Sequence, residues 1–477
     1  MTPDLETIRA SLDGAIPAVM ATCSTDGVPN VSYLSDVLKL DGPHIALSYQ
    51  FFNKTRQNVL ANPHARLIVV NPQTAAIHRL EIEYLRTETA GPVFERMKAK
   101  LAGIASHTGM DGVFKLLGAD IYRVHAVEQV PGKPLPPVPA RVNLLSALRR
   151  TSERLAACTD LDALLDELLG ALDQYFGISQ AMVLMLDPSR EVLYTVASRG
   201  YARSGIGSEI PVGAGVIGVA ARENTPIRIG YMTQEYAYSR AMRDAASAAG
   251  LTGRIATEIP FPGLEHPGSQ MAVPFGAFGR QLGVLYVESE ESRRFSYDEE
   301  DILVAVAGRL GLVAHLQQLE GTEEGETAGD RPAPDGGAVE LRRHAADDSV
   351  FLDDDYLIKG VAGAILWKLA TAFSKTGRTD FSNRELRLDP ALGLPDVDDN
   401  LEARLILLRR RLEERGACLR IERTGRGRFR LVARRPLQLR EVGGGGAPPP
   451  PPHPSQTNMQ RRGVVGPRAR DTHPPRP

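Results

Sequence analysis

The side chains with the clearest chemical potential are arginines near the C-terminus. Residues 401–440 contain 13 Arg and 4 Glu, although the whole chain carries a net charge of only −2. A local excess of positive charge on a near-neutral protein is typical of a surface that binds a polyanion. The pattern predicts an Arg-rich helix that ends at Gly416, followed by a hairpin with its turn at residues 424–427. The arginines expected to contact nucleic acid are Arg404, Arg410, Arg411, Arg426 and Arg428.

A second group of polar residues follows an apolar predicted strand. Hydroxyl and amide side chains come first, and Lys54-Thr55 then stands at the start of a predicted helix. A helix N-terminus offers free amide groups and the positive end of the helix dipole, and the lysine adds a charge, so the arrangement suits a phosphate. The candidate binding residues are Ser48, Gln50, Asn53, Lys54, Thr55 and Asn58. A structural domain without a ligand is the alternative.

The histidines, the cysteines and one glycine-rich motif do not predict a metal site, a disulfide framework or a dinucleotide site. The 10 histidines show no metal-ligand spacing with Cys or Asp, and the 3 cysteines lie far apart, so we expect neither a metal site nor a disulfide framework. Gly213, Gly215 and Gly218 match the spacing of a dinucleotide-binding loop, but the strand before them is too short and the expected downstream acid is missing. We predict instead a loop that enters a helix.

Length and composition indicate several soluble domains. A chain of 477 residues exceeds what one core supports, so two to four domains are expected. No apolar run reaches the roughly 20 residues that cross a bilayer, and the acidic N-terminus does not look like a signal peptide. We expect a cytoplasmic protein that does not enter a membrane.

Changes of composition divide the chain. Residues 131–140 are rich in proline and must be extended. Residues 321–349 are acidic and rich in Gly and Pro, which predicts a flexible linker, and residues 443–477 predict a disordered tail. The predicted folded blocks span residues 1–130, 141–320 and 350–440.

The first block is predicted to be mostly β, because Asp-Gly turns separate short apolar runs. The second block combines amphipathic helices with strands, and the capping box of Ser296 and Glu299 predicts the start of its last helix. The predicted strands are 18–23, 28–33, 37–40, 44–49, 66–70, 181–186, 192–197, 271–274 and 282–288. The predicted helices of these two blocks are 94–104, one from residue 142, 160–176 and 299–319.

The third block predicts three helices and a two-stranded wing. The helices are expected at 356–373, from Ser382, and from residue 401. A winged helix places one helix in the major groove of DNA and rests the wing on phosphate. Ile406 and Leu407 leave the last helix little polar face for bases. A protein-binding module with a solvated Arg-rich face is therefore the alternative.

This third block resembles the effector domain of response regulators, whose pattern is Leu-Arg-Arg-Lys-Leu at a helix end and then a Thr-x-x-Gly-x-Gly-Tyr-like wing. The matching residues here are 408–412 (LRRRL) and 424–429 (TGRGRF). The resemblance implies a winged helix with double-stranded DNA as partner.

The first block resembles the flavin-binding split barrel of the pyridoxamine 5′-phosphate oxidase-like superfamily. The resemblance rests on residues 48–58, 94–97 and 118–124. It implies FMN as cofactor, with Lys54 and Thr55 on the phosphate. It also implies that Ser48, Gln50 and Asn53 lie near the isoalloxazine ring or the ribityl chain.

The second block resembles a GAF domain. The resemblance rests on residues 210–218, 226–227, 271–274 and 282–285. It implies a small ligand that the sequence does not identify, and a plain dimerisation module is the alternative.

Together these interpretations predict a multidomain fold: a mostly β split barrel, an α/β GAF domain, an α+β winged helix and a disordered tail. We expect a homodimeric, signal-responsive transcriptional regulator in which the FMN-binding and GAF modules control DNA binding. The competing interpretation is an FMN-dependent oxidoreductase with regulatory domains. Tyr33 and Ser35 stand where the true oxidases carry an arginine, which bears on that reaction more than on flavin binding.

Overall fold

The computed structural model describes residues 4–12, 16–34, 36–49, 54–91, 93–94, 97–98, 116–136, 140–229, 259–319, 337–392, 394, 401–425 and 427–442. Within these ranges the chain builds a β-rich N-terminal half-barrel, an α/β middle domain and an α+β C-terminal domain. No helix of the described residues is long and apolar enough to cross a membrane.

The N-terminal domain is a seven-stranded antiparallel sheet in the order β2-β1-β5-β6-β7-β4-β3. Its strands are β1 Ala18–Cys23, β2 Pro29–Leu34, β3 Val37–Lys39, β4 His44–Tyr49, β5 His64–Val70, β6 Ile77–Glu88 and β7 Gly118–Gln129. Helix α1, Lys54–Ala61, follows β4, and a 3-10 helix, Leu5–Leu12, packs its buried leucines into the core.

The predicted strands of this domain are confirmed, and two of them have the predicted bounds, Ala18–Cys23 and His44–Tyr49. Strand β6 was not predicted, because charged residues interrupt its apolar positions, and pairing with β5 and β7 forms it. The predicted helix at 94–104 lies mostly outside the described residues.

The middle domain wraps helices around a six-stranded antiparallel sheet in the order β10-β9-β8-β13-β12-β11. Its strands are β8 Gln180–Asp187, β9 Val192–Arg199, β10 Glu209–Pro211, β11 Ile227–Ile229, β12 Ser269–Ala277 and β13 Arg280–Ser289. Its helices are α2 Leu144–Ala156, α3 Leu161–Phe176, α4 Gly215–Glu223 and α5 Tyr297–Leu319. Helices α2, α3 and α5 share one hydrophobic core with one face of the sheet, and α4 packs on the other face.

Local sequence signals set these helix ends. The Asp160 carboxylate caps α3 by accepting from the Ala163 amide, and Gly177 ends it at φ 62°. The Glu299 amide donates to the Ser296 hydroxyl, which confirms the predicted capping box. The glycine run does enter a helix, because α4 begins at Gly215.

The C-terminal domain joins two small sheets through helices. One sheet has the order β16-β15-β14-β20, with strands β14 Val339–His344, β15 Ser349–Leu352, β16 Asp355–Ile358 and β20 Leu437–Val442. The other has the order β17-β19-β18, with strands β17 Asp380–Ser382, β18 Leu419–Gly425 and β19 Arg428–Ala433. Its helices are α6 Gly360–Thr376, α7 Asn383–Arg387 and α8 Leu401–Glu414, with a 3-10 turn at Pro390–Leu392.

Two boundary predictions in this region were wrong. Strand β14 lies inside the predicted linker at 321–349, because β14 pairs in parallel with the distant β20 and gains structure that local composition does not reveal. The helix predicted at 356–373 begins only at Gly360, because Tyr356 and Ile358 belong to β16. The hairpin prediction is confirmed, since alternate apolar residues of β18 and β19 are buried.

Candidate functional site

The arginines of α8 face the middle domain rather than solvent. The Arg404 side chain is 3% exposed, and its Nη2 lies 2.7 Å from Oδ2 of Asp187, which is itself 1% exposed. The Arg404 guanidinium also lies 4.4 Å from the ring centre of Tyr194. Because Asp187 ends β8 and Tyr194 belongs to β9, this arginine is inserted against the sheet of the neighbouring domain.

The next arginines of α8 contact helix α3. Arg410 donates through Nε and Nη2 to Oδ1 of Asp162, at 3.1 and 2.8 Å, and through Nη2 to Asp166 at 2.7 Å. Arg409 pairs with the other oxygen of Asp162. The Arg410 Nη1 also donates to the backbone oxygen of Val196 at 3.3 Å. One turn of α3 thus meets two guanidinium groups.

Two further cations extend this contact. The Arg423 guanidinium of the hairpin lies 2.9 Å from Asp160, and Lys359 Nζ lies 3.1 Å from Glu209. We call the resulting set the arginine interface: Lys359, Arg404, Arg409, Arg410 and Arg423 of the C-terminal domain, paired with Asp160, Asp162, Asp166, Asp187 and Glu209 of the middle domain.

The remaining predicted DNA contacts have different surroundings. Arg411 is buried beside Gly207 of the middle domain, but its polar contacts lie within its own domain: it donates to the Leu357 oxygen at 3.1 Å and to Glu414 at 2.8 Å. Burial lowers the pKa of Arg411, although Glu414 partly offsets the effect. Arg428 is half-buried at the start of β19, and Arg426 lies outside the described residues.

The apolar residues that set α8 apart in the sequence have a structural role. Ile406 and Leu407 are 5% and 4% exposed. Gly207 of the middle domain lies close to this helix, since a Cβ there would be 3.5 Å from Leu407 Cδ1. The missing polar face of α8 is therefore the face that docks on the middle domain, and it was the one signal of this contact in the sequence.

The electrostatics favour this docked arrangement. Burial opposes ionisation of Asp187, yet the charge of Arg404 and the hydrogen bond from Ser189 hold the pKa of Asp187 below its usual range. Ion pairs that form between two surfaces give up hydration on both sides, so their net contribution is far smaller than their attraction. A contact rich in such pairs combines specificity with a modest net free energy of docking.

The candidate phosphate site of the N-terminal domain is a network of hydroxyl and amide groups. The Thr55 hydroxyl, in the first turn of α1, accepts from Asn30 Nδ2 at 2.8 Å and donates to the Ser32 hydroxyl at 3.0 Å. One turn later Asn58 donates to the Thr22 hydroxyl at 3.1 Å. The structure thus places Thr55 of α1 against β2 and Asn58 of α1 against β1.

The other predicted residues surround this network less closely. Lys54 is exposed at the first position of α1. Ser48 is buried on β4, where its hydroxyl accepts from the Asp36 amide at 3.3 Å. Gln50 and Asn53 lie outside the described residues. The exposed Lys54 at a helix start suits the phosphate of FMN, whereas the Thr55 hydroxyl and the Asn58 amide already donate to Ser32 and Thr22.

Sequence reasoning missed Arg56. Its Nη1 lies 2.5 Å from Oδ1 of Asp120 on β7, and its Nη2 donates to Thr87 at 2.6 Å. Its guanidinium also lies 4.6 Å from the ring centre of Tyr49. Burial raises the pKa of the Asp120 carboxyl, and Thr87 and Arg56 partly offset that rise. Arg56 therefore ties α1 to the sheet, and only the long-range pairing of β4 with β7 reveals it.

Comparisons with known proteins define the first two domains. The pyridoxamine 5′-phosphate oxidase model matches residues 5–119, and the GAF domain model matches residues 158–313. The chain thus carries a pyridoxamine 5′-phosphate oxidase-type domain followed by a GAF domain, as expected from the sequence. Proteins of the first type commonly bind FMN.

Several solved structures are similar to parts of this chain. A GAF domain from an Acinetobacter phosphoenolpyruvate-protein phosphotransferase is 20% identical, covers 35% of this chain and 90% of its own, and has a TM-score of 0.28. Free methionine-R-sulfoxide reductase from Neisseria meningitidis is 22% identical, with coverages of 36% and 87% and a TM-score of 0.28. An FMN-binding protein from Syntrophomonas wolfei is 17% identical, with coverages of 27% and 92% and a TM-score of 0.22. A comparison with curated proteins found no match.

Proposed function

We propose that this protein is a signal-responsive regulator in which the GAF domain restrains the arginines of the C-terminal domain. The observation that carries the proposal is the arginine interface. Arg404 and Arg410, two of the side chains predicted to contact DNA, are engaged by carboxylates of the GAF domain. A signal that weakens this docking would free cations that suit a polyanion.

Double-stranded DNA is the proposed partner of the freed arginines. The order of helices and hairpin in the C-terminal domain supports a winged helix, and we propose α8 as its groove-binding helix. In the docked state, aspartates of α3 would bind the guanidinium groups that would otherwise bind DNA phosphate. The docked and DNA-bound states exclude each other, so the GAF domain competes with DNA for Arg404 and Arg410.

Neutralising the competitor tests this proposal. In the full-length variant Asp162→Asn/Asp166→Asn, we expect duplex DNA to bind up to about tenfold more tightly than it binds the wild type, because losing these partly exposed pairs weakens docking by roughly 1 kcal/mol. The readout is fluorescence anisotropy of a labelled duplex at low and at moderate salt, because phosphate contacts weaken as salt rises.

The matched control is Asp173→Asn on the same helix. Asp173 pairs with Arg199 inside the GAF domain, and it forms no ion pair with the described residues of the C-terminal domain. Its variant should bind DNA as the wild type does. If the double variant and the control bind DNA equally, or if neither binds at low salt, the proposed competition does not operate.

The N-terminal domain is proposed to bind FMN as a second sensory cofactor. FMN would supply redox chemistry when bound. Lys54 and Thr55 would hold its phosphate, and Asn58 would hold α1 against β1. Ser48, Gln50 and Asn53 would lie along the ring and ribityl chain. Lys54→Ala should lower the flavin content of purified protein, measured by absorbance, whereas Lys133→Ala, an exposed lysine beyond the sheet, should not. Full flavin retention in Lys54→Ala would remove that lysine from the site.

The second candidate function is an FMN-dependent oxidoreductase, which the match of residues 5–119 favours. Steady turnover of a reduced nicotinamide by flavin-loaded protein, unaffected by DNA, would support it over the regulator.

A homodimer is the proposed assembly, and an apolar stripe on α5 supports it. Val304, Leu312 and Leu316 are 42%, 47% and 51% exposed, and Gly308 lies between them with open space above its Cα. The four positions recur every fourth residue and share one face of the helix. A second copy of α5 would cover this face. Leu312→Glu should shift the protein to monomer in sedimentation velocity, and an unchanged sedimentation coefficient would exclude this face as the interface.

A further inference from the structure

The GAF domain contains a buried carboxylate that no cation neutralises. Glu288 lies on β13 and is 1% exposed. Its oxygens accept from the Leu264 amide at 2.9 Å, from Gln270 Nε2 at 3.2 Å and from the Tyr286 hydroxyl at 3.0 Å. In the part of the chain that the structure describes, no lysine or arginine forms an ion pair with it. Burying a charged carboxylate with neutral donors alone is costly.

Two further buried oxygens beside this carboxylate accept no hydrogen bond from the described residues. Gln270 pairs with Glu288 in the register of β12 with β13, is 3% exposed, and leaves its Oε1 without a hydrogen bond. The Tyr201 hydroxyl is buried next to the Glu288 carboxylate, and its oxygen accepts no hydrogen bond from the described residues. Burial and the Glu288 carboxylate raise the pKa of Tyr201, so this group stays a neutral hydroxyl. Buried polar atoms without partners are rare in native proteins.

The surroundings of these groups are apolar and aromatic. The ring of Phe261 lies 6.0 Å from that of Tyr286 in an edge-to-face arrangement. A Cβ at Gly263 would be 3.4 Å from Glu288 Oε1, so the backbone passes close to the carboxylate. This face of the sheet also carries α4, on the side opposite to α3 and the arginine interface.

We propose that Glu288, Gln270 and Tyr201 recognise the ligand of the GAF domain, and that this ligand presents a protonated amine or guanidinium with at least two N–H donors. The carboxylate supplies the opposite charge, and the Gln270 and Tyr201 oxygens accept the remaining N–H bonds. An anion is excluded by charge, and a cation without N–H groups leaves both oxygens unpaired. The proposal rests on the sensory role of the GAF domain, but the binding does not require DNA.

The test compares cations of equal charge on the full-length protein. Methylammonium and methylguanidinium chloride should raise the thermal unfolding temperature saturably at millimolar concentration, whereas tetramethylammonium chloride should not. Glu288→Gln should weaken the response at least about tenfold. Glu290→Gln, which alters an exposed carboxylate two residues further on, should respond as the wild type does.

Tyr201→Phe keeps the test decisive if Glu288→Gln folds poorly. Removing this buried hydroxyl should change the unfolding temperature little, because Glu288 keeps its other three donors, while methylammonium binding weakens several-fold. The proposal is overturned if the wild type shows no saturable response to either N–H cation, or if Tyr201→Phe and Glu288→Gln respond as strongly as the wild type. Because DNA is absent, failure here is distinct from failure of the proposed DNA competition.

Discussion

Two carboxylates of the GAF domain, Asp187 and Glu288, are equally buried, at 1% exposure each, yet their hydrogen-bond donors differ in charge. Asp187 faces the C-terminal domain and receives the guanidinium of Arg404 at 2.7 Å. Glu288 faces the other side of the sheet, and its donors among the described residues are all neutral. One side of the sheet is therefore completed by a neighbouring domain, while the other retains unused capacity for a cation. Ligand binding at Glu288 would therefore act on the arginine interface through a single sheet.

The largest effect on the free energy of unfolding is expected when the charge of Asp187 is removed. Asp187→Asn removes the charge that Arg404 requires and leaves a buried guanidinium behind, so the free energy of unfolding should fall by about 3–5 kcal/mol. Urea denaturation of the full-length protein measures it. Asp187→Leu/Arg404→Leu should recover most of that loss, because it removes both charges. A double variant as unstable as Asp187→Asn contradicts the ion-pair account.

Low pH should lower stability by weakening the ion pair between Asp187 and Arg404. Because the pKa of Asp187 lies below its ordinary value, its contribution is fully present above about pH 4 and is lost as the pH falls through the lowered pKa. Stability measured from pH 7 to pH 3 should therefore decline at the acid end in the wild type. The decline should be shallower in Asp187→Asn, and parallel curves would exclude a role for this carboxyl.

A smaller effect is expected at the edge of the arginine interface. Asp162 is 25% exposed and pairs with Arg409 and Arg410. Asp162→Asn should lower stability by at most about 1 kcal/mol at low salt, as for other partly exposed pairs. The difference from the wild type should shrink in 1 M salt, since screening weakens the pair. A loss that salt leaves unchanged indicates packing rather than charge.

The smallest effect is expected at Glu288. Glu288→Gln leaves no cation of the described residues without its counter-charge. The Gln270 amide can rotate to present Oε1 to the new side chain. The free energy of unfolding should change by less than about 1 kcal/mol, in either direction. A loss as large as that of Asp187→Asn would mean that Glu288 stabilises the fold itself and would remove the contrast between the two carboxylates.

Local signals in the sequence predicted much of the fold. Asp-Gly turns marked the strands of the N-terminal sheet, the Ser296–Glu299 capping box marked α5, and alternation marked the hairpin of β18 and β19. The parallel pairing of β14 with β20 joins segments about a hundred residues apart, and no local pattern encodes it. For that reason the C-terminal domain begins inside the predicted linker.

The sites were predicted less completely than the fold. Thr55 and Asn58 were found because they follow a strand at a helix start, while the Arg56 pair with Asp120 needs the β4–β7 register. The arginines of α8 were identified as a charged group, but their carboxylate partners lie in another domain. The predicted lack of a polar face around Leu407 was the only local sign of that contact.

Hydrogen exchange of α3 in the presence of duplex DNA tests the central claim most directly. The GAF domain is not expected to contact DNA, so a change there reports the loss of Arg409 and Arg410 from Asp162. We expect saturating duplex to accelerate exchange in the first turns of α3, Leu161–Phe176, and to leave α5 unchanged. Exchange of α3 that is unchanged or slowed while DNA is bound would contradict competition between the GAF domain and DNA for the same arginines.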